Sequence, residues 1–519
     1  MMTQGELIDR IYGEMYRLAV SSKGTKYGFV RFTGSWGRKG TEEYIKKSQE
    51  FFPALMDFAK DCCIRSYNGN YYVFNGKIYA QVNADAVSLA YDKLMMSLGI
   101  MEAMLSESVK KKFFLNVIKN YNELNVRNDI IAFSNGVLDL SKKPDERCMF
   151  PFNPKYHILD YHPYPYQPDA KAPMFMKFLD EVLPDKRQRD ILQMFLGLGL
   201  IQPSEIRDKK NSTPKRPVEM CLILLGSGAN GKSVLFNIVC ALFGRSHITS
   251  IDYSTITSEK DEGFWGRAAI RSAVFNWSSD SDPKRFGKGN NAIFKQICSG
   301  EPFQYRLLRH DIEESKNCPY LIFSFNELPN LIEGTNGFLR RLQFVNFDVT
   351  IPRYKQDPNL SQKIIESDLP GVFNWVLRGS KEIRRRKFMF PVTVTSRRNK
   401  IKALLATNPV SSWMLSYNLR SEETNALEGA VLIKSDVLYD SFVNFCKNND
   451  AEDLLSSQAF GRFLGKLNFR KSRKRDGIYY FCYGVTEEVM NKPVVIDMVE
   501  EPEENGYSSD DRFSYIKYD

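Results

Sequence analysis

Apolar and polar positions change period several times along the chain, and the changes divide it. Residues 1 to about 60 carry helical patterning in two amphipathic stretches around the glycine-rich segment FTGSWGRKG. In YYVFNGKIYAQV the period shortens to alternation around Asn75-Gly76, a hairpin signal because both residues tolerate the positive φ of a tight turn. Helical spacing returns from about Val87 to Asn125, and IIAFSNGVLDLSKK then sets Asn135-Gly136 between two apolar runs, predicting a second hairpin. A connector rich in proline and tyrosine, FNPKYHILDYHPYPYQPDAKAP, precedes the helical FMKFLDEVLPDKRQRDILQMFLGLGLI. The polar stretch DKKNSTPKRPVE breaks that pattern, which places a domain boundary near Asn211.

After the break, MCLILLGSGANGKSVLFNIVCALFG reads as a buried strand, a loop and an amphipathic helix, matching G-x-x-x-x-G-K-[ST]. Gly226, Ser227, Gly228, Ala229, Asn230 and Gly231 form the loop whose N–H groups can close around phosphates. Lys232 would reach the outer phosphates of ATP, and Ser233 would ligate Mg²⁺. Hydrolysis needs an acidic group at the end of a second buried strand; AAIRSAVFNWSSDSD offers Asp280 after the apolar run ending at Trp277. Asp280 is thus a candidate metal-holding and catalytic residue, although Asp280 and Asp282 would equally suit the start of a loop before Pro283. A third strand, PYLIFSFNEL, ends at Asn326, whose amide could bond a γ-phosphate or the attacking water, or serve as an ordinary turn residue. In NGFLRRLQFVNFD, Arg340 and Arg341 sit among apolar residues, so they either meet carboxylates or project into an interface as arginine fingers do.

Helical spacing of Val437, Leu438, Phe442, Phe445 and Cys446, and again of Phe460, Phe463, Leu464 and Leu467, precedes the basic turn RKSRKRDG and the apolar IYYFCYGV. Helix, helix, basic turn and strand are the parts of a winged helix, with Arg470, Lys471, Arg473, Lys474 and Arg475 available for phosphates or as a solvated loop on a protein-docking module.

Composition narrows this picture. A chain of 519 residues with 43% hydrophobic and 26% charged residues can build several globular cores. The formal charge of +10 is modest, yet IRRRKF, TSRRNKIK and FRKSRKR concentrate it in the last third, and the tail MVEEPEENGYSSDD is acidic and predicted to be disordered. No apolar run approaches the roughly 18–20 residues of a membrane span, which predicts a soluble chain with no membrane partner. The nine cysteines form no metal-ligand spacing and read as reduced packing residues.

The succession GSGANGKS, NWSSD, KQICSGEPFQYRLLR, LIFSFNELPN and NGFLRRLQFVNF resembles the superfamily-3 helicases, specifically the primase-helicase branch of poxviruses, phages and plasmids. The likeness extends upstream through NGVLDL and FMKFLDEVL and downstream through LPGVFNWVLRG into the winged-helix-like segment, covering roughly residues 65 to 485. It implies an α/β fold: a P-loop motor domain of the AAA+ kind with a mostly helical N-terminal region and a C-terminal winged-helix-like domain. The corresponding divisions are 1–65, a helical region; 66–210, a pre-motor α+β domain; 211–410, the ATPase; 411–490, the winged-helix-like domain; and 491–519, the tail.

The same resemblance implies an ATP- and Mg²⁺-dependent replicative DNA helicase acting as a homo-oligomer, a hexameric ring on single-stranded or forked DNA. Asp280 would then be its acidic motif, Asn326 the sensor, and Arg340 or Arg341 a finger supplied in trans. A hairpin between Lys295 and Lys316 would grip DNA through Arg306, Arg309 and His310, unless those cations, lying beside Asp311, Glu313 and Glu314, simply form an exposed charged loop. Similar helicases mostly carry Glu where Asp280 stands, which makes Asp282 a candidate helper. The first 60 residues contain no histidine and no acidic cluster suited to primer synthesis, so the chain is not expected to make primers, and a separate primase or another replication protein is a candidate partner. The expected location is the cytoplasm of the host cell. An ATP-dependent initiator or loader and a P-loop small-molecule kinase are the competing readings.

Overall fold

The computed structural model describes residues 3–496 except 22–25, 34–35, 37–38, 68, 101–105, 128, 143–148, 202–217, 289, 309, 316, 330, 332–335, 406, 422–429 and 452–453. The boundary expected near Asn211, the hairpin residues Arg309 and Lys316, and the acidic tail from residue 497 on all lie outside the described residues. Two compact units divide the chain, residues 1–166 and 167–519.

In the first unit, α1 (Gln4–Val20) starts with a capping box in which Thr3 and Glu6 satisfy each other's backbone N–H groups. Helix α2 (Glu42–Asp61) follows, capped by Thr41. The strands β1 (Ile64–Tyr67), β2 (Asn70–Phe74) and β3 (Tyr79–Val82) form an antiparallel meander, with Asn75-Gly76 in the β2–β3 turn. Helices α3 (Ala84–Ser97), α4 (Glu107–Val109) and α5 (Asn116–Tyr121) complete this layer. Its core is strongly aromatic: Tyr27, Phe29, Phe32, Trp36, Phe51 and Phe58 are buried together. A second, small sheet has the order β6-β5-β4-β7, built from β4 (Ile130–Phe133), β5 (Gly136–Asp139), β6 (Met149–Phe150) and β7 (Tyr161–His162). Gly136, at φ +136, follows the turn of its β4–β5 hairpin.

The second unit is mixed α/β around a parallel sheet. Its strands are β8 (Cys221–Leu225), β9 (Ile248–Thr249), β10 (Phe275–Ser278), β13 (Tyr320–Phe325) and β14 (Leu342–Asn346), in the order β14-β8-β13-β10-β9. All neighbouring pairs are parallel. β8, β10 and β13 are almost wholly buried, as central strands covered on both faces must be.

Helices α6 (Pro173–Val182), α7 (Lys186–Gly197), α8 (Lys232–Phe243), α9 (Tyr253–Ile256), α10 (Asp261–Ile270), α11 (Asn291–Ser299) and α12 (Asn336–Leu339) surround the sheet, with an antiparallel ribbon of β11 (Gln304–Arg306) and β12 (Ile312–Glu314) between α11 and β13. The long α13 (Leu360–Arg385) packs against α7 at backbone distance. A Cβ on Gly379 would lie 2.0 Å from the Gln193 carbonyl oxygen, and one on Gly197 2.3 Å from the Ser380 nitrogen. Asp368 of α13 accepts the Phe175 N–H at 2.9 Å, and Asn374 donates to the carbonyls of Gln167, Pro168 and Ala170. Residues 167–200 are thereby fastened to the unit that holds the parallel sheet.

Helices α14 (Val394–Leu405) and α15 (Pro409–Tyr417) lead into the C-terminal part, which comprises β15 (Val431–Lys434), α16 (Ser435–Asn448), α17 (Ser457–Lys466), β16 (Lys471–Lys474), β17 (Gly477–Cys482) and α18 (Glu487–Met490). Its sheet order is β15-β17-β16. Trp413 of α15 packs on Phe442 and Phe460 and donates to the Ser441 hydroxyl at 3.2 Å, tying the two parts through one core.

Candidate nucleotide site

The loop between β8 and α8 is shaped by what surrounds it. The Gly226 N–H donates to the Phe325 carbonyl at the end of β13, and the Phe347 N–H to Leu225, so both flanking strands fix the loop's base. Gly228, Ala229 and Gly231 all have positive φ, at +102°, +49° and +87°. A side chain on Gly226 would strike the Asn230 amide and the Phe347 carbonyl oxygen, and one on Gly231 would strike Phe178 and Val182 of α6. Asn230 is buried and donates to the Phe347 carbonyl at 3.4 Å, while the Ala229 carbonyl accepts from Ile351 at 2.8 Å. Ser227 and Ser233 are exposed.

Lys232 opens α8 and folds its ammonium back onto the Gly226 carbonyl. Burial holds its pKa below the usual lysine value, and the negative charge of Asp280 acts in the opposite direction. Asp280 follows β10 and Asn326 follows β13; both are exposed, and the Asn326 amide donates to the Asp280 carboxylate at 3.4 Å. Trp277, on β10, anchors this edge by donating to Ser324 on β13 at 3.0 Å and packing edge-on against Phe236 of α8. Asp282 is engaged elsewhere, accepting the Lys284 N–H at 2.9 Å and pairing with Arg285 at 3.3 Å. Lys232, Asp280 and Asn326 therefore converge at the carboxyl end of the sheet, where open α/β sheets bind ligands.

Arg340 and Arg341 lie at the other end. The Cys221 N–H donates to the Arg341 carbonyl at the start of β8, and β8 must run its full five residues before the loop begins. At ~3.3 Å per residue that separates the arginines from Gly226 by about 16 Å. Arg341 is buried, donating to the Gly337 carbonyl, to Ser299 at 2.7 Å and to Glu219 at 2.8 Å. Arg340 keeps 43% of its side chain exposed and reaches the same Glu219 oxygen at 3.2 Å.

On the ribbon, Arg306 pairs with Asp261 of α10 at 2.5 Å, His310 is exposed at the tip, and Leu308 beside it is 73% exposed. Arg267 holds the ribbon's base through the Gln304 carbonyl at 2.7 Å. Arg470, Lys471, Arg473, Lys474 and Arg475 are all exposed, and Lys474 stacks over Tyr479 at 4.4 Å. These cations are separate from the phosphate loop in the sequence and form no part of its lining.

Two features of the site have no local sequence signal. Glu219 precedes its strand as a lone charged residue between Val218 and Met220, and only the β8–β14 register brings it to the arginine pair. Phe178 and Val182 look like ordinary core residues of an amphipathic helix, yet they back Gly231.

Comparison with known proteins supplies relatives for this arrangement. Residues 54–184 match a family model described as D5 N terminal like, and residues 224–341 match a family of unknown function, DUF5906. A protein of Acanthamoeba polyphaga mimivirus named "Putative helicase L207/L206" is 24% identical over 274 residues, half of this chain. The chain is thus similar in part to a D5-type N-terminal domain and to a viral protein named as a putative helicase. The aligned segment is a quarter of that mimivirus protein's length. Solved structures of the NrS-1 C-terminal region superpose with TM-scores of 0.41 and 0.42 at 11% and 12% identity. The first alignment covers 80% of this chain and 93% of that one, the second 78% and 83%; overlap this loose carries no argument. No helix among the described residues is long and apolar enough to cross a membrane.

Proposed function

We propose that this chain is an ATP-dependent replicative DNA helicase of superfamily 3 whose sites are shared between subunits of a ring. The observation that carries the reading is the division of its chemistry between the two ends of one strand. Lys232, Asp280 and Asn326 meet at the carboxyl end of β8, whereas Arg340 stands half-exposed at the amino end, about 16 Å away by strand rise. Within one subunit those arginines cannot touch the phosphates held by the loop. In a closed ring they can reach the neighbour's. The strand order β14-β8-β13-β10-β9, with the phosphate loop after a central strand, supports an AAA+-type motor.

The loop fits a nucleotide triphosphate with Mg²⁺: it is a cradle in which a Cβ at Gly226 or Gly231 would collide with its own walls. Ser233, exposed at the start of α8, and Asp280 would hold the metal, which supplies charge neutralisation between the outer phosphates. Lys232 would exchange the Gly226 carbonyl for phosphate oxygens, Asp280 would orient the attacking water, and Asn326, already bonded to Asp280, would sense the terminal phosphate. The ribbon, with Arg306, Arg309 and His310, would track single-stranded DNA. The C-terminal sheet and helices suit a winged helix whose exposed Arg470, Lys471, Arg473, Lys474 and Arg475 bind phosphates. A partner primase belongs to the same reading.

A small-molecule kinase is disfavoured by the distant arginines, because such enzymes bring cationic side chains onto the phosphates from their own lid. An unwinding assay on a forked duplex tests the proposal. The wild-type chain should separate strands with ATP and Lys232→Ala should not; absence of ATP-driven separation by the wild type would leave the initiator or loader reading.

A further inference from the structure

Among the described residues, Glu219 is the carboxylate that bonds both arginines. Its Oε2 accepts from Arg341 at 2.8 Å and from Arg340 at 3.2 Å, at the end of the sheet opposite the phosphate loop. The two arginines are otherwise unlike. Arg341 is buried and tied within its own subunit to Ser299 and the Gly337 carbonyl, so it cannot leave. Arg340 has 43% of its side chain in solvent. Adjacent guanidinium groups repel, and in a half-buried setting a shared carboxylate offsets that repulsion and fixes where the outer one points.

From this geometry we infer that Glu219 is a positioning residue for an inter-subunit arginine: it pins Arg341 as an internal brace and holds Arg340 at the sheet edge, aimed at the neighbouring subunit's ATP. The inference rests on the shared-site reading above. It also links the two ends of the strand, since Glu219 stands two residues before β8, which leads directly into the phosphate loop. The carboxylate that positions the finger of one interface and the loop of the next are thus mounted on the same strand.

The test uses the full-length chain with single-stranded DNA, reading kcat and KM for ATP hydrolysis, the affinity for a fluorescent ATP analogue, oligomer size and thermal unfolding. Glu219→Ala should lower kcat by about 10²-fold, the cost of a misplaced catalytic group, while nucleotide affinity stays within about two-fold. Mixing it with Lys232→Ala subunits should restore hydrolysis, because the intact loop of the first then faces the correctly held Arg340 of the second. A purely structural role for Glu219 would move unfolding and affinity together and give no such rescue.

Glu219→Gln keeps an acceptor for Arg341 but removes the charge that offsets the pair. It should show the same loss of kcat, and it carries the test if the alanine variant does not fold. Wild-type kcat in the folded Glu219 variant, beside an inactive Arg340→Ala, overturns the inference and leaves the shared site standing. Wild-type kcat in Arg340→Ala itself overturns both.

Discussion

Replacing Gly231 by alanine tests the description of the phosphate loop, because the added methyl group meets two separate obstacles. The first is conformational: Gly231 sits at φ +87°, a left-handed conformation that costs an L side chain about 1–2 kcal/mol. The second is steric: an ideal Cβ there would lie 2.8 Å from a Phe178 ring carbon and 2.9 Å from a Val182 methyl, and such overpacking costs about 1–3 kcal/mol. The sum is about 2–5 kcal/mol. Borne by the loop, even its lower bound weakens ATP binding about 30-fold. Titration with a fluorescent ATP analogue measures that loss, and thermal unfolding measures any part that appears as stability. Phe178→Leu in the Gly231→Ala background should recover part of the steric share and none of the conformational one, a separation that a double-mutant cycle reads directly. A Gly231→Ala chain with wild-type affinity and wild-type unfolding would show that neither the backbone angle nor the α6 wall is as described.

The two arginines should behave oppositely. Arg341→Ala strips a buried partner from Glu219 and should cost about 3–5 kcal/mol in chemical denaturation, whereas Arg340→Ala, at a half-exposed pair, should cost ~1 kcal/mol or less yet abolish hydrolysis. Equal stability losses would remove the distinction between brace and finger. Asn326→Ala should reduce the kcat for ATP about 10²-fold with little change in ATP affinity, as loss of one well-placed donor does; unchanged kcat would return Asn326 to the status of a turn residue. Lys400, buried on α14, has its pKa pushed down by burial from the ordinary lysine value of about 10.4 to about 8. Because the unfolded chain holds that proton more tightly, the buried charge costs about 3 kcal/mol at neutral pH, and the cost fades as pH rises through that interval. The stability advantage of Lys400→Met should accordingly shrink between about pH 8 and 10.5; a constant difference would contradict the assigned burial.

What could be read from the chain alone follows from how local each signal is. The phosphate loop is a contiguous string whose glycines answer to backbone angles within a few residues, so its form is written in one place. The same holds for the Asn75-Gly76 and Asn135-Gly136 hairpins, which form as antiparallel pairs. Asp280 and Asn326 were candidates because each ends an apolar run, but their 3.4 Å contact depends on β10 and β13 being neighbours in the sheet, which no string of residues states. Glu219 has no sequence signal because its partners lie more than a hundred residues away and meet it only through the parallel register of β8 and β14.

The hold of α13 on α6 and α7 was hidden for the same reason. Gly197 and Gly379 look like tolerated helix glycines until the close approach of two backbones explains them. The exposed cations Arg470, Lys471, Arg473, Lys474 and Arg475 are the least local feature, since a run of charge reads the same whether it grips phosphate or is simply solvated.

The central claim is that each ATP site is built from two subunits, and subunit mixing tests it most directly. Lys232→Ala removes the loop's contribution and Arg340→Ala the neighbour's, so neither variant alone should hydrolyse ATP on single-stranded DNA. Mixed, they should regain activity in proportion to the interfaces that pair an intact loop with an intact arginine. Activity no greater than the sum of the two separate variants would contradict the account.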